Sequence, residues 1–151
     1  MVDGGVFKTF LHNTKTARKD GVTPTGNGFK ANFDSAVNIA GTNFFVKPAE
    51  GKPLCALMEE LGEGLMITDF AGLHSGANAV SGEFSLQAQG FVIKNGKKDR
   101  PVELITVSGN FFDVLNNITA VGSDLKFGGP DRAGTIGSPS LLIRDLDIAG
   151  S

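Results

Sequence analysis

GLMITDFAGLHSGANAVSGEFSLQAQGFVIKNGKKDRPVELITVSGN, residues 64–110, reads as a β-meander. Its first run, 64–71, is apolar, contains β-branched Ile67 and Thr68, and stops at Gly72. A Gly/Ser/Asn loop over 73–81 separates it from a longer run, 82–94, in which Phe84, Leu86 and Ala88 alternate with Ser85, Gln87 and Gln89. Such period-two alternation gives a strand one buried and one wet face. After Gly90 the apolar positions are Phe91, Val92 and Ile93, so the facing changes there, and an isolated Gly inside a strand marks a bulge. Asn95-Gly96 tolerates the positive φ angles of a tight type I′ turn. The chain then returns along 102–107, after Pro101, where a missing N–H does little harm.

At 151 residues the chain is long enough for one domain with a core of its own. Cys55 is the single cysteine, which excludes an intrachain disulfide framework and fits a reducing compartment. A formal net charge of −2 gives no electrostatic reason to expect nucleic acid as a partner. No secretory pattern opens the chain and no apolar run has membrane-spanning length, so we expect a cytoplasmic protein without a membrane partner. The 21 glycines and 12 phenylalanines, with no Trp or Tyr, predict a turn-rich, largely β domain with a phenylalanine-based core.

Outward from the meander, residues 5–11 predict a strand with Val6, Phe7, Phe10 and Leu11 available for burial. No partner strand precedes it, which leads us to expect a piece of something longer. TKTARKD, 14–20, predicts one or two helical turns closed by Gly21, with Lys15, Arg18 and Lys19 as a solvated surface. Residues 22–40 predict a long loop with irregular extended pieces, and a loop of that length is commonly functional or disordered. A strand over 42–47 ends at Pro48. Leu54, Leu57, Met58 and Leu61 recur at helical spacing, predicting a helix over 53–61 closed by Gly62, with Cys55 as an inert small core residue. A second helix is predicted over 111–121 from the stripe Phe111, Val114, Leu115, Ile118 and Val121, with Asn110 as N-cap and Gly122 as terminator. Residues 128–139 predict a flexible loop, and 140–149 two short strand pieces or one kinked strand with Leu142, Leu146 and Ile148 facing the core. The sum is a single α+β domain over 1–151, predominantly antiparallel β in a curved or barrel-like sheet, with two amphipathic helices.

Amide hydrolysis needs a metal-activated water or an activated Ser or Cys. His12 and His74 lie far apart in sequence, and neither has a helical ligand partner three or four residues away. Gly72-Leu73-His74-Ser75-Gly76 falls short of a Gly-x-Ser-x-Gly nucleophile elbow. On an extended backbone His74 and Ser75 would face opposite sides, so they are not expected to act as a catalytic pair. A phosphate-binding Gly-rich loop is absent too. The residues alone therefore assign no catalytic and no metal-ligating position, and suit a binding or assembly module.

Three stretches carry a resemblance: GVFKTFLHNTKTARKDGVTPTGNG, then LMEELGEGLMITDF running on through VSGEFSLQAQGFVIKNG and PVELITVSGN to the second helix, and the closing GSPSLLIRDLDIAG. In this order the chain resembles the C-terminal part of the TldD/PmbA (TldE) family, bacterial and archaeal proteins long labelled modulators of DNA gyrase and now regarded as zinc-dependent peptidases. Its pattern is similar to the PmbA/TldE branch. The TldD branch carries a His-Glu-x-x-x-His helix upstream and a later Cys, and GGPDRAGTIGSPS has no Cys where that ligand would be expected.

The resemblance implies a heteromeric peptidase in which a TldD-like subunit supplies zinc while this chain, with no cofactor of its own, completes the chamber and helps to hold a peptide substrate; self-association is the other partner arrangement. Such enzymes are associated with trimming leader peptides from antibiotic precursors and with degrading unfolded peptides. An exposed strand edge can take an extended peptide through main-chain hydrogen bonds. The loop Gly72, His74, Ser75, Gly76, Asn78 and Ser81, with the strand that follows, is the candidate peptide-binding or subunit-contact site. Its residues would otherwise serve only as turn formers and backbone satisfiers. Two further readings are a regulatory module for a protein partner such as DNA gyrase, and a fragment of an active zinc peptidase whose ligands lie upstream.

Overall fold

The computed structural model describes residues 1–128 and 135–150. In chain order these form β1 (Val2–Asp3), β2 (Val6–Phe7), α1 (Thr14–Asp20), β3 (Gly28–Phe29), β4 (Asn38–Ile39), β5 (Asn43–Phe45), α2 (Leu54–Leu61), β6 (Gly64–Ala71), α3 (Leu73–Gly76), β7 (Glu83–Lys94), β8 (Lys97–Asn110), α4 (Phe111–Asn116), β9 (Ile118–Val121), β10 (Lys126–Phe127), β11 (Thr135–Ser138), β12 (Leu141–Ile143) and β13 (Asp147–Ala149). They divide into a first unit, Met1–Val46 with Lys126–Ser138, and a second, Lys47–Leu125 with Pro139–Ser151. Among the described residues no helix is long and apolar enough to cross a membrane.

In the second unit the predicted meander is an antiparallel sheet in the order β13-β8-β7-β6. Alternation along β7 buries Leu86 and Ala88 and leaves Ser85, Gln87 and Gln89 exposed. Ala88, Val102, Ile105 and Val107 form the core, with Leu65, Ile67, Phe84, Val92 and Leu146 packed against it. The bulge expected at Gly90 is present and crosses three strands. On β6, Thr68 is the extra residue between the pairs Ile67↔Gly90 and Asp69↔Gln89. On β8, Glu103 and Leu104 stand where β7 has only Gln89, between Ala88↔Ile105 and Gly90↔Val102. The Met66 carbonyl oxygen lies where a Cβ on residue 90 would stand, so only glycine fits. Leu104 takes φ 57°, a left-handed conformation that costs a bulky residue about 1–2 kcal/mol.

This sheet ends at β6 and β13, and among the described residues the strands make five separate sheets, none closed. The α+β, mostly antiparallel class stands, whereas the barrel-like closure does not form. β13 reaches the sheet by pairing Asp147–Ala149 with β8, and β12 pairs instead with β9.

Two helical expectations need correction. Helix α2 begins after Pro53, and the Gly62 N–H closes it on the Met58 carbonyl. Leu57 is buried with Ala120 and Leu142, and Leu61 packs on them. Cys55 precedes Leu57 by two residues, about 200° around a 3.6-residue helix, and is exposed rather than in the core. The helix expected over 111–121 ends at Asn116. Asn110 caps it by accepting from the Phe112 N–H at 2.9 Å, but Asn116 and Asn117 are poor helix formers, and β-branched Ile118, Thr119 and Val121 continue as β9. Ala120 of β9 is buried opposite Leu142.

In the first unit the sheets are small: β1-β2, β3-β4, and β10-β11-β5, in which β11 and β5 run parallel. The strand expected over 5–11 shortens to Val6–Phe7, and Phe10 is exposed. The 22–40 stretch is a loop with two-residue extended pieces, as expected. Within the loop expected over 128–139, residues 135–138 are strand β11, because three of them pair with β5; residues 129–134 lie outside the described residues. The helix expected over 14–20 is α1. Asn13 Oδ1 accepts from the Thr16 N–H at 2.9 Å while Thr16 Oγ1 accepts from the Asn13 N–H at 3.2 Å, and Gly21 closes the helix at φ 69°. The PTGN segment docks beside this cap. Thr25 Oγ1 accepts from the His12 N–H at 2.7 Å, and Asn27 Nδ2 donates to the Ala40 carbonyl at 3.0 Å. That part of the sequence signature is thus a latch between the cap and the loop.

Two substitutions test the three-strand bulge. Gly90→Ala forces β6 and β7 apart and is expected to destabilise by about 3 kcal/mol, the upper range for overpacking, measured by denaturant unfolding. Leu104→Asn keeps the left-handed conformation with a residue that tolerates it and is expected to stabilise by about 1 kcal/mol; a lowered midpoint would mean that the exposed leucine contributes packing that outweighs its strain.

Candidate functional site

Residues 72–85 wrap the end of β7. Gly72, at φ 85°, starts α3, and its carbonyl accepts from the Ser75 and Gly76 N–H groups at 3.0 and 2.8 Å. Gly76 runs so close to β7 that a Cβ would collide with the Ser85 carbonyl oxygen. Ala77 then makes a single antiparallel bridge to Phe84. Asn78 organises the return: its N–H donates to the Glu83 carbonyl at 2.8 Å, and its side-chain oxygen accepts from the Val80 and Ser81 N–H groups at 2.9 and 3.1 Å. The Ser81 carbonyl accepts from Asn110 Nδ2 at 2.9 Å, which ties the loop to the start of α4.

The result is an open groove of about 630 Å³ lined by Ser75, Gly76, Ala77, Asn78, Glu83 and Ser85 together with Ala79 and Phe84. Of the expected site residues, Ser75, Gly76 and Asn78 line it; Gly72, His74 and Ser81 do not. His74 and Ser75 lie on a helical turn and not on the expected extended backbone, and no hydrogen bond joins their side chains. Glu83 and Ser85 belong to the strand that follows the loop, and the wet face of its alternation marks them, although they are not singled out by name. The groove offers hydroxyls, one carboxylate and backbone groups, which suits hydrogen bonding to a polar chain.

Strand edges bear on where such a chain could pair. β7 has β8 on one side and, on the other, β6 up to Gln87 and then the Ala77 bridge. The strand after the loop is therefore already paired at its groove end. The outer edge of β6, Gly64–Ala71, has no strand beside it among the described residues.

A metal finds no convergent donors among the described residues: no three His, Cys, Asp or Glu side chains come together. His12 is buried, with Nδ1 3.3 Å from Thr16 Oγ1 and 3.9 Å from Asp20 Oδ2. His74 and Cys55 are exposed on α3 and α2 of the other unit. Among the described residues these side chains do not fit a zinc site.

A unit built on an antiparallel meander and a unit of short sheets with a capped helix occur in one chain in a family of metallopeptidases. Residues 1–150 match the model of the PmbA/TldA metallopeptidase C-terminal domain, and the chain belongs to that family. It is 31% identical over 151 residues to a metalloprotease PmbA homolog of Haemophilus influenzae, covering all of this chain and 30% of that protein. A solved structure from Thermotoga maritima, of a protein named as a candidate modulator of a DNA gyrase, is 44% identical with a TM-score of 0.81 and covers 98% of this chain and 32% of its own. TldE of Thermococcus kodakarensis, 22% identical, has the same fold at a TM-score of 0.83, over 99% of this chain and 33% of its own. The chain thus spans about a third of the length of these relatives.

Asn78→Ala removes two bonds that hold the turn. It is expected to lower stability by about 1–2 kcal/mol and to speed amide exchange at Val80 and Ser81 while leaving Val107 protected; unchanged exchange at Val80 and Ser81 would show that the side chain does not hold the turn.

Proposed function

We propose that this chain is the non-catalytic PmbA/TldE-like portion of a two-subunit metallopeptidase, in which a TldD-like subunit holds the zinc and this one helps to assemble the complex and to bind the peptide. The observation that carries the reading is the unpaired outer edge of β6, together with the groove of polar and backbone groups formed by residues that follow it in the chain, in a member of a metallopeptidase family. An extended peptide added to β6 gains main-chain hydrogen bonds with little dependence on its sequence. Ser75, Asn78, Glu83 and Ser85 then meet the end of that peptide at the groove. Substrates of this kind are unfolded segments and leader peptides, which present their backbone without competing structure.

Zinc content and cleavage of an unfolded peptide test this, measured on the full-length protein alone and after mixing with its TldD-like partner. A metal-free, inert protein and an active mixture are expected. Stoichiometric zinc and cleavage by the protein alone would replace this reading with that of an active peptidase whose ligands lie upstream. In the active mixture, Ala79→Trp, which fills the groove, is expected to raise KM at least fivefold with kcat nearly unchanged; an unaltered KM would remove the groove from the peptide path.

A second reading, a regulatory module for a protein partner, rests on the gyrase-modulator name of the Thermotoga relative. It predicts gyrase capture by the full-length protein without the TldD-like subunit and no peptide cleavage with it.

A further inference from the structure

The two units differ in a way their shared chain does not require. The second has clusters of buried aliphatic side chains around Val107 and Leu57. In the first, the one buried apolar side chain among the described residues is Ala17. Every phenylalanine of that unit is exposed, from 38% for Phe29 to 92% for Phe33. Some pair with one another: Phe7 meets Phe10 at 4.7 Å between ring centres, and Phe45 meets Phe127 at 5.7 Å, with the Phe127 ring also lying over Gly137. A buried aromatic ring contributes about 150–250 Å² of contact, so the seven rings together leave several hundred Å² of apolar surface open.

The strands of this unit repeat the pattern. Its three sheets contain only two- to four-residue strands, and their outer edges have no neighbour among the described residues. A two-stranded ribbon is marginal in water without a further layer.

We propose that the phenylalanine face of the first unit is covered by the part of the polypeptide that precedes this domain in full-length family members, and that the unit acquires a stable core only then. Two observations favour that occupant over a second copy of the chain. The matched family model describes a C-terminal domain, and the chain spans about a third of its relatives, so a much longer polypeptide is present in cis in those proteins. Rings on three separate sheets would also be uncovered from synthesis until an encounter if the cover came from another molecule, whereas a linked segment acts at high effective concentration. The inference is independent of the peptidase reading.

Hydrogen exchange on the 151-residue chain and on the full-length polypeptide tests it. In the short chain, amides of β7 and β8 are expected to be at least 100-fold better protected than those of residues 2–46; in the full-length protein the latter gain at least 100-fold. Equal protection of both units in a monomeric short chain would overturn the proposal, and so would protection that rises with the concentration of the short chain alone, which would assign the face to a second copy. In the full-length protein, Phe10→Ser with Phe33→Ser is expected to lower Tm by 5 °C or more, while Leu73→Ser with Val80→Ser, exposed in the second unit, leaves it within 1 °C. If the phenylalanine double variant does not fold, Phe33→Leu is read in its place; an unchanged Tm for the variant that is read would show the face to be solvent.

Discussion

The approach of the Met66 carbonyl to Gly90 sets the geometry of the second unit. Two backbones can lie that close only where one of them has no side chain, and the extra residues on β6 and β8 stand beside the same point. Bulges increase local twist and bend a strand. Before the bulge, β7 turns Leu86 and Ala88 inward, and after it Val92 still packs against that core while its neighbour Ile93 is buried as well. The Asn95-Gly96 turn then packs against α2, with the Gly96 N–H donating to the Gly62 carbonyl at 2.9 Å and a Cβ on residue 96 standing 2.9 Å from Glu59 Cα. One glycine in mid-strand and one in the turn thus join the meander to the helix that carries Leu57.

The second unit was legible because its signals are local. Alternation from Phe84 to Gln89, the isolated Gly90 and the Asn95-Gly96 turn each specify the backbone within a few residues, and β6, β7 and the turn formed where they point. Where the reading failed, two periods fitted the same letters. Phe111, Val114, Leu115, Ile118 and Val121 suit a helical stripe, but Ile118 and Val121 also suit a strand, and pairing with β12 decides for the strand. Cys55 was placed by its type and not by its angle from Leu57. Phe10 suits a strand by its type, yet β2 ends at Phe7; a strand partner cannot be seen in one dimension.

The candidate site was half legible for a related reason. Gly72, Gly76 and Asn78 announce a tight turn, and the turn is there. That Gly76 lies against Ser85, or that the Ala77 bridge closes the free end of β7, depends on a fold-back of about nine residues that leaves no mark in composition. The bridge also deals with a hazard, since an unpaired strand end beside a groove is a template for unwanted pairing. β6, by contrast, keeps its open edge. PTGN was legible as a signature and illegible as a mechanism: its threonine and asparagine serve the His12 backbone and the Ala40 carbonyl, contacts 13 residues away in sequence.

The parallel pairing of β5 with β11 has a consequence in time. Thr135 lies beside Asn43, 92 residues apart, with their side-chain oxygens 2.6 Å from one another. At a synthesis rate of about 5–20 residues per second, β5 leaves the ribosome roughly 5–20 s before its partner exists. β6, β7 and β8, joined by short connections, can zip within microseconds to milliseconds of emerging. Phe44 and Phe45 therefore pass through an interval in which the meander is complete and their own sheet cannot be, a window for chaperone capture that the order of strands along the gene builds in.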